Sequence, residues 1–381
     1  MLAKCDSDNA EAIDQSSFWS EGSLNWDAHR TGWLVAGVST IITVLISVIS
    51  VLHHARSYTN PRQQRQIIRI LYMPLVYGVI SFLSYRFFRD YTYYSLVQVV
   101  YEAFTIAAFL MLLIEYVKAS SPDNKTDSTM ERKEKPRLLL PLCCWRYRPK
   151  KAYFMYTVKW SVLQYCIVRP AVSIAGIILE THHLLCESEG FNFSYANVYL
   201  EIVDFISISI ALYGLLLFYN LTKEELSGKR PFAKFLSIKA VVMLTWKVPI
   251  FGALEGRVIK PTEYWTTTNI ANGLNALAMI FFSILMMWAF SSREFRRPPG
   301  QKPTSIWRPL WDRFVQVLAT SFYSHLTKHS INFSDFAYEV ISSLRFYLCG
   351  VRTKNEDGAN FAEAFGIEDA DQHELTKKRA G

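Results

Sequence analysis

No aspartate, glutamate, lysine or arginine occurs between Trp33 and Leu52. A helix on the surface of a soluble protein carries charge every few residues, so this absence excludes one and leaves a helix immersed in lipid. Charged residues make up only 19% of the 381-residue chain, against 51% hydrophobic. The apolar residues recur in blocks of about 20, which is the length that crosses a bilayer. Other absences narrow the function. There is no phosphate loop, nucleophile elbow or zinc signature, so an enzyme is not expected. His53-His54 and His182-His183 lack an acidic or cysteine partner at a ligand interval, so neither a metal nor another cofactor is expected. Six cysteines make no disulfide framework, and Cys166, inside an apolar block, reads as packing. The first 30 residues are polar and acidic and lack an apolar h-region, so no cleaved signal peptide is expected.

The blocks that are present fall at about 33–52, 67–87, 95–117, 155–179, 195–220, 232–254 and 266–290. The expected fold is therefore an all-α membrane protein, a bundle of seven transmembrane helices. Pro74 predicts a kink in the second span, because its missing N–H removes one backbone bond. The last span holds no lysine, which excludes a retinal protein. It also lacks Asn-Pro-x-x-Tyr, and the third span ends in Glu115-Tyr116-Val117-Lys118, so a G-protein-coupled receptor is not expected either. Lysines and arginines gather on alternate loops, 21 on one side against 5 on the other. The positive-inside rule then places the N-terminus in the lumen or outside and the C-terminus in the cytosol. The formal charge of +8 is explained by this orientation, and nucleic acid is not expected as a partner.

Four regions follow. Residues 1–32 form a luminal arm, 33–297 the seven-helix domain, 298–352 cytosolic amphipathic helices and 353–381 a disordered tail. On the luminal side Asn192-Phe193-Ser194 is a glycosylation sequon, and Cys5 and Cys186 are placed where they can pair. In the third loop, which falls on the cytosolic side, Cys143 and Cys144 stand beside Trp145, Arg146 and Arg148. Juxtamembrane cysteines between apolar and basic residues are candidates for S-palmitoylation. In the tail, Trp307, Leu310, Trp311, Phe314, Leu318 and Phe322 recur at helical spacing. So do Phe333, Phe336, Ala337, Val340, Leu344 and Leu348. Tyr338-Glu339-Val340-Ile341 resembles the short peptides read by ubiquitin-like autophagy modifiers, with Phe336, Tyr338 and Ile341 as its contact residues.

Ionisable residues inside spans are costly and point to function. Glu102, Arg169, Asp204 and Lys247 all lie roughly 10–15 Å inside their spans at 1.5 Å per residue. Glu201 shares a helix face with Asp204. Such a cluster suits an amphipathic anion, with Arg169 and Lys247 taking the charge and Tyr101, Tyr165 and Trp246 the apolar body. The alternative for Glu102 and Arg169 is a buried ion pair that locks helices together. Lys239 reads as a snorkelling lysine that needs no ligand. Asn269, Asn272 and Asn275 recur every third residue of the last span, as interhelical glue or as cavity lining.

A resemblance spans roughly Trp33 to Arg297. Tyr58, Asn60-Pro61, Gln64-Arg65, Ile67 to Leu71, Ser81 to Tyr85 and Tyr101-Glu102-Ala103 carry its first part. Leu163-Gln164-Tyr165, Arg169-Pro170, Ala211 to Tyr213, Lys223 to Leu226, Lys234 to Leu236 and Ile238-Lys239 carry the rest. The chain resembles the organic solute transporter subunit alpha-like family, and looks like a fungal-type member. The resemblance implies seven helices, cysteines in the third loop, and transport of steroid-like or other amphipathic solutes. It departs from the family at Ile280, Phe282 and Phe205, where the family carries polar residues. The expected function is a carrier, or carrier-derived protein, for such solutes. The alternative is a vacuolar-type membrane anchor that recruits a cytosolic modifier through its tail. Expected partners are membrane lipids, an organic solute, that modifier and a second copy of the chain. The expected location is the vacuolar or endolysosomal membrane, with the plasma membrane second.

Overall fold

The computed structural model describes residues 19–20, 23–24, 28–57, 59–87, 90–120, 152–185, 193–223, 226, 228–244 and 267–295. Several expectations lie outside these residues. They are the third loop with Cys143 and Cys144, the sequon at Asn192, the Cys5–Cys186 pair, Trp246, Lys247, and the tail with Phe336, Tyr338 and Ile341. Apart from one two-residue antiparallel pair, β1 (Trp19–Ser20) with β2 (Ser23–Leu24), the described elements are helices. They are α1 (Ala28–Arg56), α2 (Pro61–Leu71), α3 (Met73–Arg86), α4 (Tyr91–Ser120), α5 (Ala152–Leu163), α6 (Tyr165–Thr181), α7 (Ala196–Leu221), α8 (Pro231–Leu244) and α9 (Thr267–Ala289). A 3-10 turn, Ser292–Phe295, follows α9.

Among the described residues, six helical segments are long and apolar enough to cross a membrane: Arg30–Arg56, Pro61–Arg86, Tyr91–Ser120, Tyr156–Thr181, Ala196–Leu221 and Asn272–Ala289. α8 is the described part of the expected sixth span. The burial pattern inverts that of a soluble protein. On α1, Val38, Ile41, Leu45 and Ile49 are exposed, whereas Thr40, Thr43, Ser47, Ser50 and His54 are buried. Phe205 on α7 is 62% exposed, Phe281 on α9 64% and Trp288 60%. Lipid solvates apolar side chains as well as a core does, so helices there meet through small and polar residues instead.

The second span begins earlier than its apolar block. Pro61 occupies the first turn after Asn60, so Arg62, Arg65 and Arg69 belong to the helix itself. The expected kink is present: α2 ends at Leu71, Tyr72 caps it, and α3 starts with Pro74 in its first turn. Tyr101 on α4 donates its hydroxyl to the Arg69 carbonyl at 2.7 Å, beside the break. That bond occupies a backbone acceptor that the bilayer cannot serve.

The fourth span is broken too, at Gln164 between α5 and α6. Proline at 170 gives only part of the reason, because the break lies six residues before it. Gln164 makes the rest of the joint itself. Its amide donates to the carbonyls of Ser161 (3.2 Å) and Ser207 (2.8 Å), and the Ser207 hydroxyl donates back to Gln164 Oε1 (2.8 Å). A glutamine able to donate and accept thus fastens the broken span to α7.

The chain divides into two compact units. The first comprises 1–108, 168–205 and 230–310, the second 109–167, 206–229 and 311–381. In the first, α1, α3 and α9 pack on one another. Close contact is set by Gly78 of α3, where an added Cβ would lie 3.5 Å from Thr43 and 3.8 Å from Met279. Thr40 donates to the Gly78 carbonyl at 3.2 Å. In the second unit, Gly214 of α7 lies so near Ser161 of α5 that a Cβ would fall on the serine hydroxyl. Cys166 is buried, as packing requires.

Candidate functional site

Four ionisable side chains of the first unit act on one another inside the membrane-spanning helices. α4 brings Glu102, α6 brings Arg169, α7 brings Asp204 and α8 brings Lys239. Small residues let three of these helices approach. Ser173, one turn beyond Arg169, donates to the Leu96 carbonyl of α4 at 3.3 Å. Gly176 lies against Leu96 and Leu200, where an added Cβ would sit 3.4 and 3.7 Å from their methyl groups. From these contacts the helices run on to Glu102, Arg169 and Asp204 at comparable depth.

The pairing differs from the sequence expectation. Arg169 Nη1 contacts Asp204 Oδ1 at 2.6 Å, and both side chains are largely withdrawn from the surface. Glu102 is the expected partner of Arg169 but makes no ion pair among the described residues. It is 4% exposed, and its Oε1 has no hydrogen-bond partner among them. Burial is the dominant influence on Glu102 and on Lys239, and Lys239, Arg169 and Asp204 are near enough to Glu102 for their charges to act on it. Lys239 is half-buried on α8 and is grouped with the cluster by charge. Glu201 does not enter: it is exposed on α7 and accepts from Asn197 at 3.3 Å.

The other expected residues separate. Tyr101 neighbours Glu102 in sequence, but its hydroxyl is bonded to Arg69 as described above. Tyr165 is fully buried in the second unit. Asn272 and Asn275 are buried on α9 with Ala276 and Met279. Asn275 has no side-chain hydrogen-bond partner among the described residues. The departures at Phe205 and Phe282 also separate, since Phe205 faces outward whereas Phe282 is buried at 8% exposure. The change at Phe205 therefore removes no polar group from the interior.

Sequence reasoning missed three features. Lys159 on α5 is 2% exposed, in the second unit. The Gln164–Ser207 joint carried no signal except a glutamine within an apolar run. Lys234, itself buried, forms an ion pair at 2.9 Å with Glu294, which stays exposed. All three lie near the ends or breaks of apolar blocks, where a charge is easily read as solvated.

Chemically, the cluster holds two acids and two bases but a single direct ion pair among the described residues. Arg169 Nε is a buried donor with no hydrogen-bond partner among them. Lys239 and Glu102 keep their hydrogen-bonding capacity as well. An amphipathic anion whose charged group meets Arg169 and Lys239 fits this arrangement, because each offers N–H donors to an oxyanion.

A family model described as Organic solute transporter Ostalpha matches residues 32–295. No solved structure matches the chain.

Proposed function

We propose, from the premise that the chain belongs to the organic solute transporter Ostalpha family, that it carries amphipathic organic anions of steroid or lipid type. The protein is an integral, multi-pass membrane protein. The observation that carries the reading is Arg169: a cation of the spanning helices that meets Asp204 at 2.6 Å while its buried Nε has no hydrogen-bond partner among the described residues. A cation in that position is expensive unless something negative occupies its neighbourhood. The two acids balance the two bases at rest, and an anionic solute engages the donors of Arg169 Nε and Lys239.

The test is uptake of a radiolabelled steroid sulfate into proteoliposomes that contain the purified protein. Saturable uptake, competed by unlabelled sulfate ester, is expected. Absence of both saturable flux and saturable binding would count against the reading.

The same reading uses seven spans, with the N-terminus in the lumen of a vacuolar-type compartment. Protease added to sealed vesicles with the cytosolic face outward is expected to remove the chain beyond Arg297 and to spare residues 1–32. Loss of the N-terminal arm instead would reverse the orientation, and with it the side from which solute enters.

A further inference from the structure

α8 carries two lysines with different surroundings. Lys239 is half-buried and lies within range of the charges of Glu102 and Asp204. Lys234, five residues earlier, is fully buried. Its ammonium lies 3.0 and 2.9 Å from the two oxygens of Glu294 and 5.9 Å from the Phe290 ring centroid. Five residues turn a helix by about 140°, so the two lysines leave it on different faces. The face of Lys234 is the one that meets α9. Ser237, three residues on, bonds the Lys234 carbonyl at 2.8 Å and Met286 Sδ of α9 at 3.6 Å.

Glu294 is itself held firmly. It lies in the 3-10 turn after α9, and the backbone there is tied to α1 and to the first loop. His54 Nε2 donates to the Phe290 carbonyl at 2.8 Å, and the His54 ring meets Phe295 edge-on at 5.9 Å. Thr59 donates to the Phe295 carbonyl at 3.5 Å. Gln64 braces the first loop by donating to the carbonyls of His54 and Ser57. The acid that receives Lys234 thus stands on a frame built from three other elements.

We propose that Lys234 and Glu294 are positioning residues for the solute site. Their pair fixes the depth and rotation of α8 and so sets how far Lys239 reaches towards Glu102 and Asp204. The inference rests on the solute reading for its consequence, though not for its geometry. The pair joins a buried ammonium to an exposed carboxylate, and its two charge-assisted hydrogen bonds give directional attachment that apolar packing lacks, since apolar contacts survive a small rotation and a bidentate contact does not. The helix is rigid over the intervening turn and a half, so a change at Lys234 is transmitted to Lys239.

Two readouts test this. In a Lys239→Cys background, the rate at which a charged methanethiosulfonate modifies the introduced thiol is followed by peptide mass spectrometry. Glu294→Gln is expected to change that rate at least threefold, and exchange of the pair, Lys234→Glu with Glu294→Lys, to restore most of it. In the otherwise native chain, Glu294→Gln is expected to raise the KM for steroid sulfate uptake with little change in maximal rate. Should Glu294→Gln fail to fold, Glu294→Asp takes its place, with a smaller shift in the same direction. Folded variants whose thiol reactivity and KM both equal those of the parent would overturn the proposal. If the parent itself takes up no steroid sulfate, the solute reading fails, and the thiol modification rates still decide the positioning role.

Discussion

Replacing Asp204 by asparagine is expected to lower the stability of the folded protein by about 3–5 kcal/mol, the usual cost of stranding one partner of a buried pair. Arg169 keeps its charge in this variant and loses its only direct counter-ion among the described residues, at 2.6 Å. Glu102 does not take over without a shift of α4 or α6, because Leu96, Ser173 and Gly176 hold those helices in register. The measurement is thermal unfolding of the detergent-purified protein followed by tryptophan fluorescence. The companion is the double variant Arg169→Met with Asp204→Leu, which removes both charges and leaves apolar side chains. That variant is expected to recover most of the lost stability and to bind no anionic solute. A stable Asp204→Asn protein would show that the pair is not the interaction that joins α6 to α7. A double variant as unstable as the single one would place the cost in packing and not in charge.

The second large effect is expected at Lys239. Lys239→Met is predicted to weaken binding of a steroid sulfate about a hundredfold, equal to about 2.8 kcal/mol at 1.4 kcal/mol per factor of ten. The loss lies within the range for removing one member of a desolvated charge pair. A neutral sterol of the same skeleton serves as the control. Its binding is expected to change by less than threefold, since methionine fills much of the volume of the lysine stem. Equal losses for the two ligands would mean that Lys239 shapes the bundle and does not read the charge. Stability is expected to fall less than in Asp204→Asn, because Lys239 makes no direct ion pair among the described residues. The two variants therefore separate the roles in the cluster: Asp204 holds Arg169 in place, and Lys239 senses what arrives.

Much of this protein follows from hydropathy and local chemistry. An apolar block of membrane length has to become a helix, because only intrasegment hydrogen bonds satisfy its backbone in lipid. Six such helices are present among the described residues, at places close to the apolar blocks. Pro74 marked the kink of the second span for the same local reason, a missing donor. Arg169 and Asp204 were legible as functional candidates because a charge between apolar neighbours is expensive wherever its helix points.

What the sequence did not determine is which charge meets which. Along α4, α6, α7 and α8 nothing in the spacing distinguishes Asp204 from Glu102 as the partner of Arg169, since the pairing depends on rotations of whole helices. Those rotations are set by remote close approaches, Gly176 on Leu96 and Leu200 in one case, Lys234 on Glu294 in the other. Lys239 shows the same point. By depth it is a residue able to reach the interface, and its nearness in charge to two acids of other helices is a property of the folded bundle. Helix position along the membrane normal is a one-dimensional property that hydropathy encodes. Helix rotation and neighbour choice arise from contacts between residues far apart in the chain, and only the folded bundle decides them.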